Sequence, residues 1–149
     1  MPRPPRSALP DGLFHAFSRG IASEQPLFRD DDDRALFVDL LRRTAREHHW
    51  ALHAFCVLGT HYHVVVETTR EELSAGMHRL NWTYARNANA RKAGFGHVFA
   101  DRFGARAIEG DEYLYEACAY VVLNPVRAGL CERVEDWPWS YSALGLAST

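Results

Sequence analysis

Residues 50–67 have the sequence WALHAFCVLGTHYHVVVE, and this stretch decides the fold. Two short apolar runs rich in β-forming residues, at 50–58 and 61–67, are separated by Gly59 and Thr60. A two-residue connection that begins with glycine predicts a β-hairpin, because glycine readily adopts the positive φ of a type II′ turn. We therefore expect two adjacent antiparallel strands at the centre of the domain.

Three helices are predicted around this hairpin. Residues 33–48 carry apolar side chains at helical spacing, and residues 71–90 do so through Leu73, Met77, Leu80 and Tyr84. A third helix is predicted from Asp111 to about Asn124, since the residue before Pro125 is disfavoured in a helix. Its buried stripe is expected to contain Leu114, Ala117, Cys118 and Val121.

The other segments complete an α+β pattern. Residues 12–19 alternate weakly and predict a first strand, and residues 97–108 are expected to be extended. Gly94 and Gly96 are expected to end the second helix, and the tail around Trp137 to Trp139 has no clear period. Intermixed strands and helices predict a single α+β domain with a central, mainly antiparallel sheet flanked by helices. We expect residues 1–11 to be a disordered lead-in and residues 12–149 to form the domain.

Composition fits one globular domain. The chain has 149 residues, of which 47% are hydrophobic, enough for a real core. No apolar run approaches the roughly 18 residues of a membrane span, and the proline- and arginine-rich N-terminus does not resemble a secretory signal. Three widely spaced cysteines argue against a disulfide framework or zinc ribbon. A reducing cytoplasm is therefore expected.

Charge is distributed unevenly, although the net charge is only −2. Residues 79–106 contain six basic residues and the single acid Asp101. Such a run is either an ordinary solvated helix face or a nucleic-acid-binding surface, and charge alone does not separate the two. The acidic run Asp30 to Asp33 precedes a helix, so we interpret it as helix capping and solvated surface rather than a metal site.

The motif His61-Tyr62-His63 opens the second strand of the hairpin. Side chains alternate faces along a strand, so the two histidines project to the same side, roughly 7 Å apart, with Tyr62 on the other. Two such imidazoles can converge on one metal ion. Paired histidines on a half-exposed strand also occur with no ligand, and the motif alone leaves both interpretations open.

Tyr120 and Asn124 lie four residues apart on the third helix, beside its buried stripe. A metal ion could accept the Asn124 oxygen while Tyr120 reaches a substrate bound to the same ion. A packing tyrosine and a C-terminal asparagine are the alternative. Among other tyrosines, Tyr84 belongs to an apolar stripe and is expected to be buried, whereas Tyr113 and Tyr115 lie nearer the helix start.

From about Gly12 to Tyr141 the sequence resembles the REP-associated tyrosine transposases, a branch of the single-tyrosine HUH transposases. The stretches that carry the resemblance are ordered and compatibly spaced: Phe17-Ser18-Arg19-Gly20, Leu27-Phe28-Arg29-Asp30-Asp31, His61-Tyr62-His63 with the following valines and Glu67, Gly96-His97-Val98-Phe99 with Arg102-Phe103, Tyr120 through Asn124-Pro125-Val126-Arg127-Ala128-Gly129-Leu130, and Glu135-Asp136-Trp137-Pro138-Trp139-Ser140.

The resemblance implies a ferredoxin-like HUH nuclease fold and a tyrosine transposase. His61 and His63 match the family's metal ligands, Asn124 the third ligand and Tyr120 the nucleophile. The implied reaction is cleavage and rejoining of single-stranded hairpin DNA of the repetitive extragenic palindrome type, through a 5′-phosphotyrosine. The ligand types suit Mg²⁺ or Mn²⁺.

Further expectations concern DNA binding and the setting of the protein. Five arginines are candidates for DNA contacts: Arg19, Arg79, Arg86, Arg102 and Arg106. The resemblance implies a bacterial, cytoplasmic protein that associates with the nucleoid when it is bound to DNA. It also favours a monomer over the homodimers found elsewhere in the family. The alternatives are a domesticated regulator or nicking factor that binds hairpins without transposing and, more distantly, a metal phosphodiesterase using water.

Two departures from the family pattern are visible. Leu58-Gly59-Thr60 stands where Met-Pro-Asn is common, and Gly104 stands where a basic residue is common. The first is expected to affect the geometry that holds His61. The second is expected to weaken one phosphate contact.

Overall fold

The computed structural model of the chain describes residues 11–21, 26–91 and 97–144. The described residues form five strands, three α-helices and one 3-10 turn at Val134–Asp136. In chain order these are β1 (Gly12–Arg19), α1 (Asp31–Glu47), β2 (Ala51–Val57), β3 (His61–Thr68), α2 (Arg70–Arg91), β4 (Gly104–Ile108), α3 (Asp111–Arg127) and β5 (Ser140–Ser142).

One antiparallel sheet contains the strands in the order β4-β1-β3-β2-β5. The β-α-β-β-α-β run through β4 has the ferredoxin-like arrangement, in which the hairpin strand β3 pairs with both β2 and β1. The predicted hairpin and α+β fold are confirmed. The sheet places β1 and β3 side by side, and β3 contains the His61-Tyr62-His63 motif.

Each face of the sheet is covered by a separate apolar cluster. On one face, side chains of α1 and α2 pack against Phe14, Tyr62 and Val64. On the other face, α3 packs through Cys118, Val121 and Val122 against Val65 and its neighbours. Because strand residues alternate, consecutive residues of β3 belong to opposite clusters. The predicted stripes of α2 and α3 face the sheet as expected, although Leu114 and Ala117 are only partly buried.

The acidic run before α1 differs partly from the prediction. Asp30 caps the helix as expected, since its Oδ1 accepts a hydrogen bond from the Asp33 backbone N–H at 3.0 Å. Asp33, however, is only 1% exposed and forms ion pairs with Arg29 and Arg91. The interpretation as solvated surface was wrong for Asp33, because these two guanidinium groups compensate a buried carboxylate.

Three residues, Leu58 to Thr60, separate β2 from β3, and the turn is not type II′. Gly59 does not have a positive φ, so that prediction was wrong. Tertiary hydrogen bonds account for the difference: the Gly59 carbonyl accepts from the Phe28 N–H at 3.0 Å, and the Thr60 carbonyl accepts from the Gly20 N–H at 2.8 Å. The surrounding chain therefore sets the conformation of this turn.

Several boundaries also differ from the predictions. α3 continues through Pro125 to Arg127, three residues beyond the predicted end. Within the predicted extended segment 97–108, only the end forms strand β4, while Phe99 makes a single bridge to Gly20. The tail, for which no period was found, forms β5 against β2.

Some predictions lie outside the described residues. These are the disordered lead-in, except Asp11, and the helix-ending role of Gly94 and Gly96. Asp11 accepts a hydrogen bond from the first N–H of α2, at Arg70. None of the helices described is both long and apolar enough to cross a bilayer.

Candidate active site

The face of the sheet covered by α3 carries three histidines on its two central strands. His61 and His63 lie on β3, and His15 lies on the neighbouring β1. Phe17 pairs with His63 in the antiparallel register, and Arg19 pairs with His61. Alternation along both strands therefore brings the imidazoles to one face, next to α3.

The two histidines of the His61-Tyr62-His63 motif face the same side, as the spacing predicted. Their ring centroids are 5.1 Å apart with the rings nearly perpendicular. Tyr62 points to the opposite cluster, where its hydroxyl donates to Asn81 Oδ1 at 2.6 Å. That hydrogen bond anchors the strand between the two histidines to α2.

The Nδ1 atom of each motif histidine has a hydrogen-bond partner. His63 Nδ1 lies 2.9 Å from His15 Nε2, and His61 Nδ1 lies 3.0 Å from Thr60 Oγ1. Neither Nε2 atom makes a hydrogen bond to any residue that the structure describes. Metal-ligating histidines commonly have this arrangement, in which one ring nitrogen is held and the other binds the ion. Thr60, a departure from the family pattern, thus supplies a partner to His61.

Tyr120 of α3 stands opposite these strands. Its ring makes edge contacts with His15 and His63 at centroid distances of 5.9 and 6.1 Å. Tyr120 is 48% exposed, so it is not part of the buried core. A cavity of about 300 Å³ lies here, and its lining consists of His15, Phe17, His63, Arg106, Ala117 and Tyr120.

Pro125 explains how the end of α3 holds Tyr120. Pro125 has no N–H to donate to the Val121 carbonyl four residues earlier, so that carbonyl loses its usual helical partner. Asn124 Nδ2 donates to the Tyr120 carbonyl at 3.0 Å and to the Val121 carbonyl at 3.3 Å. The Arg127 guanidinium donates to the same Tyr120 carbonyl. These side-chain bonds let the helix continue past Pro125, where the sequence predicted its end.

Arg127 also covers the Tyr120 ring. Its guanidinium carbon lies 4.5 Å from the ring centroid, within cation–π distance. Two contacts from one side chain, to the carbonyl and to the ring, therefore restrict the orientation of Tyr120. Arg127 lies within a motif of the sequence, but its role was not predicted.

The fit to a divalent ion depends on Asn124. In the described ranges, no three histidine, cysteine, aspartate or glutamate side chains are arranged to hold a metal ion. Two imidazole Nε2 atoms and one amide oxygen remain as a donor set that suits Mg²⁺ or Mn²⁺. The Asn124 NH₂ group is used by the helix backbone, which directs Oδ1 away from those carbonyls. Of the three donor residues, only His63 lines the 300 Å³ cavity, and His61 and Asn124 lie outside its lining.

All three histidines are held in the neutral form. Burial, followed by the charge of Arg106, lowers the pKa of His15 to about 4. Burial, followed by the neighbouring His15, His61 and Arg127, lowers the pKa of His63 to about 3. Burial also lowers the pKa of His61. Neutral imidazole is the form that ligates metals, so these groups need not lose a proton at pH 7.

This burial predicts a pH-dependent stability. The folded-state pKa values of His15 and His63 lie below their ordinary value of 6.5, so below that pH the unfolded chain binds more protons. The free energy of unfolding should fall from pH 6.5 towards pH 4, by at most about 1.4 kcal/mol per pH unit for each histidine. Urea midpoints of the wild type and His15→Gln, measured across this range, test the prediction. An equally steep decline in both proteins would contradict it.

The five candidate arginines occupy four separate places. Arg106 lines the cavity beside Tyr120, and Arg19 lies at the end of β1 in an ion pair with Asp101 at 3.7 Å. Arg86 and Arg102 line a second, larger groove beside α2. Arg79, two turns before Arg86 on α2, does not line that groove and pairs instead with Glu47 of α1 at 3.3 Å. The basic segment is therefore not one continuous surface.

Sequence reasoning missed His15 and Phe17. Both belong to the alternating pattern of β1, but only the pairing of β1 with β3 places them beside His63. The pairing is long-range and leaves no local signal. Gly104, the second departure from the family pattern, packs against Phe17: an added Cβ would lie 2.4 Å from the Phe17 ring. A side chain at position 104 is therefore incompatible with this position of Phe17.

Comparisons with known proteins identify a family for this chain and two structures of similar fold. A family model described as "Transposase IS200 like" matches residues 21–124. No curated protein sequence matches the chain.

Two solved structures are similar in fold. A REP-associated tyrosine transposase bound to a REP hairpin is similar with a TM-score of 0.71 and 19% identity, over 94% of this chain and 82% of that chain. A crystal structure of a candidate transposase from Deinococcus radiodurans R1 is similar with a TM-score of 0.52 and 14% identity, over 81% of this chain and 95% of that chain.

Proposed function

Because the chain belongs to the IS200-like transposase family, we propose that it cleaves and rejoins single-stranded hairpin DNA through a covalent tyrosine intermediate. A transposase-type, DNA-processing function follows from the family. The observation that carries the finer proposal is the position of Tyr120, half exposed on the wall of a cavity that also contains His63 and Arg106.

Tyr120 is the proposed nucleophile. Its phenolic oxygen attacks the scissile phosphorus and loses its proton, while the bond from phosphorus to the 3′ oxygen breaks. The products are a 5′-phosphotyrosine and a free 3′-hydroxyl group, which takes up a proton. Rejoining reverses these steps with a new 3′-hydroxyl group, so the phosphodiester energy is retained in the intermediate.

The cofactor we propose is Mg²⁺ or Mn²⁺, with His61 Nε2, His63 Nε2 and Asn124 Oδ1 as protein ligands. Such an ion, when bound, polarises the scissile phosphate and offsets the charge that grows on it. His15 and Thr60 orient the two imidazoles through their Nδ1 atoms. Arg106, on the wall of the same cavity, adds a positive charge for a phosphate oxygen.

The proposed substrate is a DNA hairpin with an unpaired flank. The REP-associated transposase with the similar fold is bound to a REP hairpin, which supports this class of DNA. The experiment that tests the proposal is incubation of the protein with such a hairpin and Mn²⁺, followed by denaturing electrophoresis. A covalent protein–DNA band supports the transposase. Hairpin binding without that band would support a regulator that no longer cleaves.

Affinity for this DNA should fall steeply with salt, because binding displaces counterions from phosphates. Arg102→Gln and Arg106→Gln should each weaken binding and flatten the plot of log affinity against log salt by roughly one unit. Binding titrations at several salt concentrations measure the slope. Arg79→Gln should change it less, since Glu47 already pairs with Arg79.

Charge reversal at Asp31 or Asp32 is the matched control for that slope. Both side chains are highly exposed beside α1, where we expect no DNA. Equal effects of the aspartate and arginine variants would show that Arg102 and Arg106 do not form the DNA-binding surface.

A further inference from the structure

A network of three polar side chains lies on the face of the sheet opposite the histidines. It consists of Ser18 on β1, Tyr62 on β3 and Asn81 on α2. The Tyr62 hydroxyl donates to Asn81 Oδ1 at 2.6 Å, and Asn81 Nδ2 donates to Ser18 Oγ at 2.9 Å. Tyr62 is fully buried and Ser18 is 4% exposed. One amide group therefore connects two central strands to a helix.

The network lies at the register position between the two motif histidines. Ser18 and Tyr62 are paired in the β1–β3 register, and the two neighbouring pairs contain His63 and His61. Consecutive Cα atoms are about 3.8 Å apart across a trans peptide, so a shift of the Tyr62 backbone moves both histidines with it. The network can therefore set the position of the two imidazoles from the opposite face of the sheet, without touching them.

The hydrogen bond between His15 and His63 depends on the same pair of strands. His15 Nε2, on β1, lies 2.9 Å from His63 Nδ1, on β3. An increase of about 1 Å in the distance between the strands would take this contact beyond hydrogen-bonding range. Because Asn81 bonds to a side chain of each strand, it opposes such a displacement close to the point where the contact crosses between them.

Burial alone does not require the polar groups of this network. The Tyr62 ring packs at a centroid distance of 4.4 Å from the Phe37 ring and 6.5 Å from the Phe99 ring, contacts that a phenylalanine could also make. Replacing both partners of a buried hydrogen bond by apolar groups of the same shape can be nearly neutral for stability. A satisfied polar network, in contrast, specifies one arrangement of the groups that it joins. The network thus fits a role in geometry better than a role in stability.

We infer that Asn81 is a positioning residue, whose hydrogen bonds to Tyr62 and Ser18 hold β1 and β3 so that His61 and His63 keep the orientation in which both can bind one ion. The inference rests on the proposed function, because it assigns the alignment of the proposed metal site to a residue of α2. Asn81 acts through the two strands and contacts neither the ion nor the DNA.

The test compares Mn²⁺ affinity with thermal stability in the full-length protein. Asn81→Leu and Tyr62→Phe each introduce an apolar side chain of similar shape, and the double variant leaves neither partner of their hydrogen bond unpaired. The double variant should melt close to the wild-type temperature. Its Mn²⁺ affinity, measured by calorimetric titration, should fall by about tenfold, the lower end of the range for residues that orient metal ligands.

The single variants separate affinity from stability. Each should lose about as much Mn²⁺ affinity as the double variant, because removal of either partner breaks the same hydrogen bond. Asn81→Leu alone leaves the buried Tyr62 hydroxyl without its partner, so its melting temperature should fall further than that of the double variant.

Asn87→Leu is the matched control. Asn87 lies on the same helix, but its Nδ2 donates to the Thr83 carbonyl one turn earlier, so this hydrogen bond stays within α2. The control receives the same substitution and loses one hydrogen bond, yet it should bind Mn²⁺ like the wild type.

A second measurement does not involve the metal. The proton between His15 Nε2 and His63 Nδ1 should give an imidazole N–H resonance in NMR spectra of protein labelled with ¹⁵N-histidine, and its loss in His15→Phe assigns it. Exchange of this proton with water should be about tenfold faster in the double variant or more, because the two strands separate more readily.

The outcomes distinguish this inference from the proposed function. A folded double variant with wild-type Mn²⁺ affinity and wild-type proton exchange would overturn the inference, and so would an equal loss of affinity in Asn87→Leu. A double variant that does not fold would assign the network to stability instead. If the wild type binds no Mn²⁺, the proposed metal site is wrong, whereas faster proton exchange in the folded double variant still supports positioning by Asn81.

Discussion

Tyr120→Phe should remove the covalent protein–DNA adduct, lowering its rate of formation by a factor on the order of 10³ or more, as expected for loss of a nucleophile. The phenylalanine ring can keep the edge contacts with His15 and His63 and the cation–π contact with Arg127. Only the attacking oxygen is lost. Hairpin affinity should therefore stay within about twofold, as measured by fluorescence anisotropy, while the adduct is followed by denaturing electrophoresis.

Three other tyrosines provide the controls for this result. Tyr84 is fully buried, its hydroxyl donates to the Leu27 carbonyl at 2.7 Å, and burial raises its pKa well above the ordinary value. Tyr113 and Tyr115 are exposed near the start of α3, away from the cavity lining. Phenylalanine variants at these positions should form the adduct normally. Undiminished adduct in Tyr120→Phe, or its loss in one of the controls instead, would show that another tyrosine is the nucleophile.

The helices could be predicted from the sequence because their signals are local. The stripe from Leu73 to Tyr84 and the cap at Asp30 depend on residues within a few turns of each other. The burial of Asp33 could not be predicted in this way, since its partner Arg91 lies 58 residues later. The prediction of a type II′ turn at Gly59 was wrong for the same reason, because hydrogen bonds from the distant residues Gly20 and Phe28 set the conformation of the turn.

The same difference between local signals and long-range contacts holds for the candidate site. Alternation within β3 predicted that His61 and His63 share a face, and helical spacing predicted that Tyr120 and Asn124 lie together. His15 required knowledge of the β1–β3 register. The continuation of α3 past Pro125 required the side-chain hydrogen bonds of Asn124 and Arg127, which no propensity scale contains. Whether these groups hold a metal and cleave DNA stays a prediction.

A second prediction with a large expected effect follows from the proposed metal site. His61→Ala and His63→Ala should each reduce adduct formation by a factor on the order of 10² or more, because loss of one of three ligands leaves the ion weakly held and poorly oriented. EDTA should have the same effect on the wild type, and added Mn²⁺ should reverse it. His53→Ala is the matched control: this histidine lies on the neighbouring β2 with its Nε2 3.3 Å from Glu67 Oε1, outside the cavity lining.

A binding measurement separates metal ligation from a structural role of the same histidines. Calorimetric titration with Mn²⁺ should detect binding to the wild type and to His53→Ala, and should lose it in His63→Ala. His63 is largely buried, so its variant also needs a melting curve: a folded variant without Mn²⁺ binding supports ligation, whereas a folded variant that binds Mn²⁺ normally contradicts it. Adduct formation at full rate in EDTA would exclude metal dependence altogether. In that case the neutral imidazoles facing Tyr120 would have to act on the phenol or the phosphate directly.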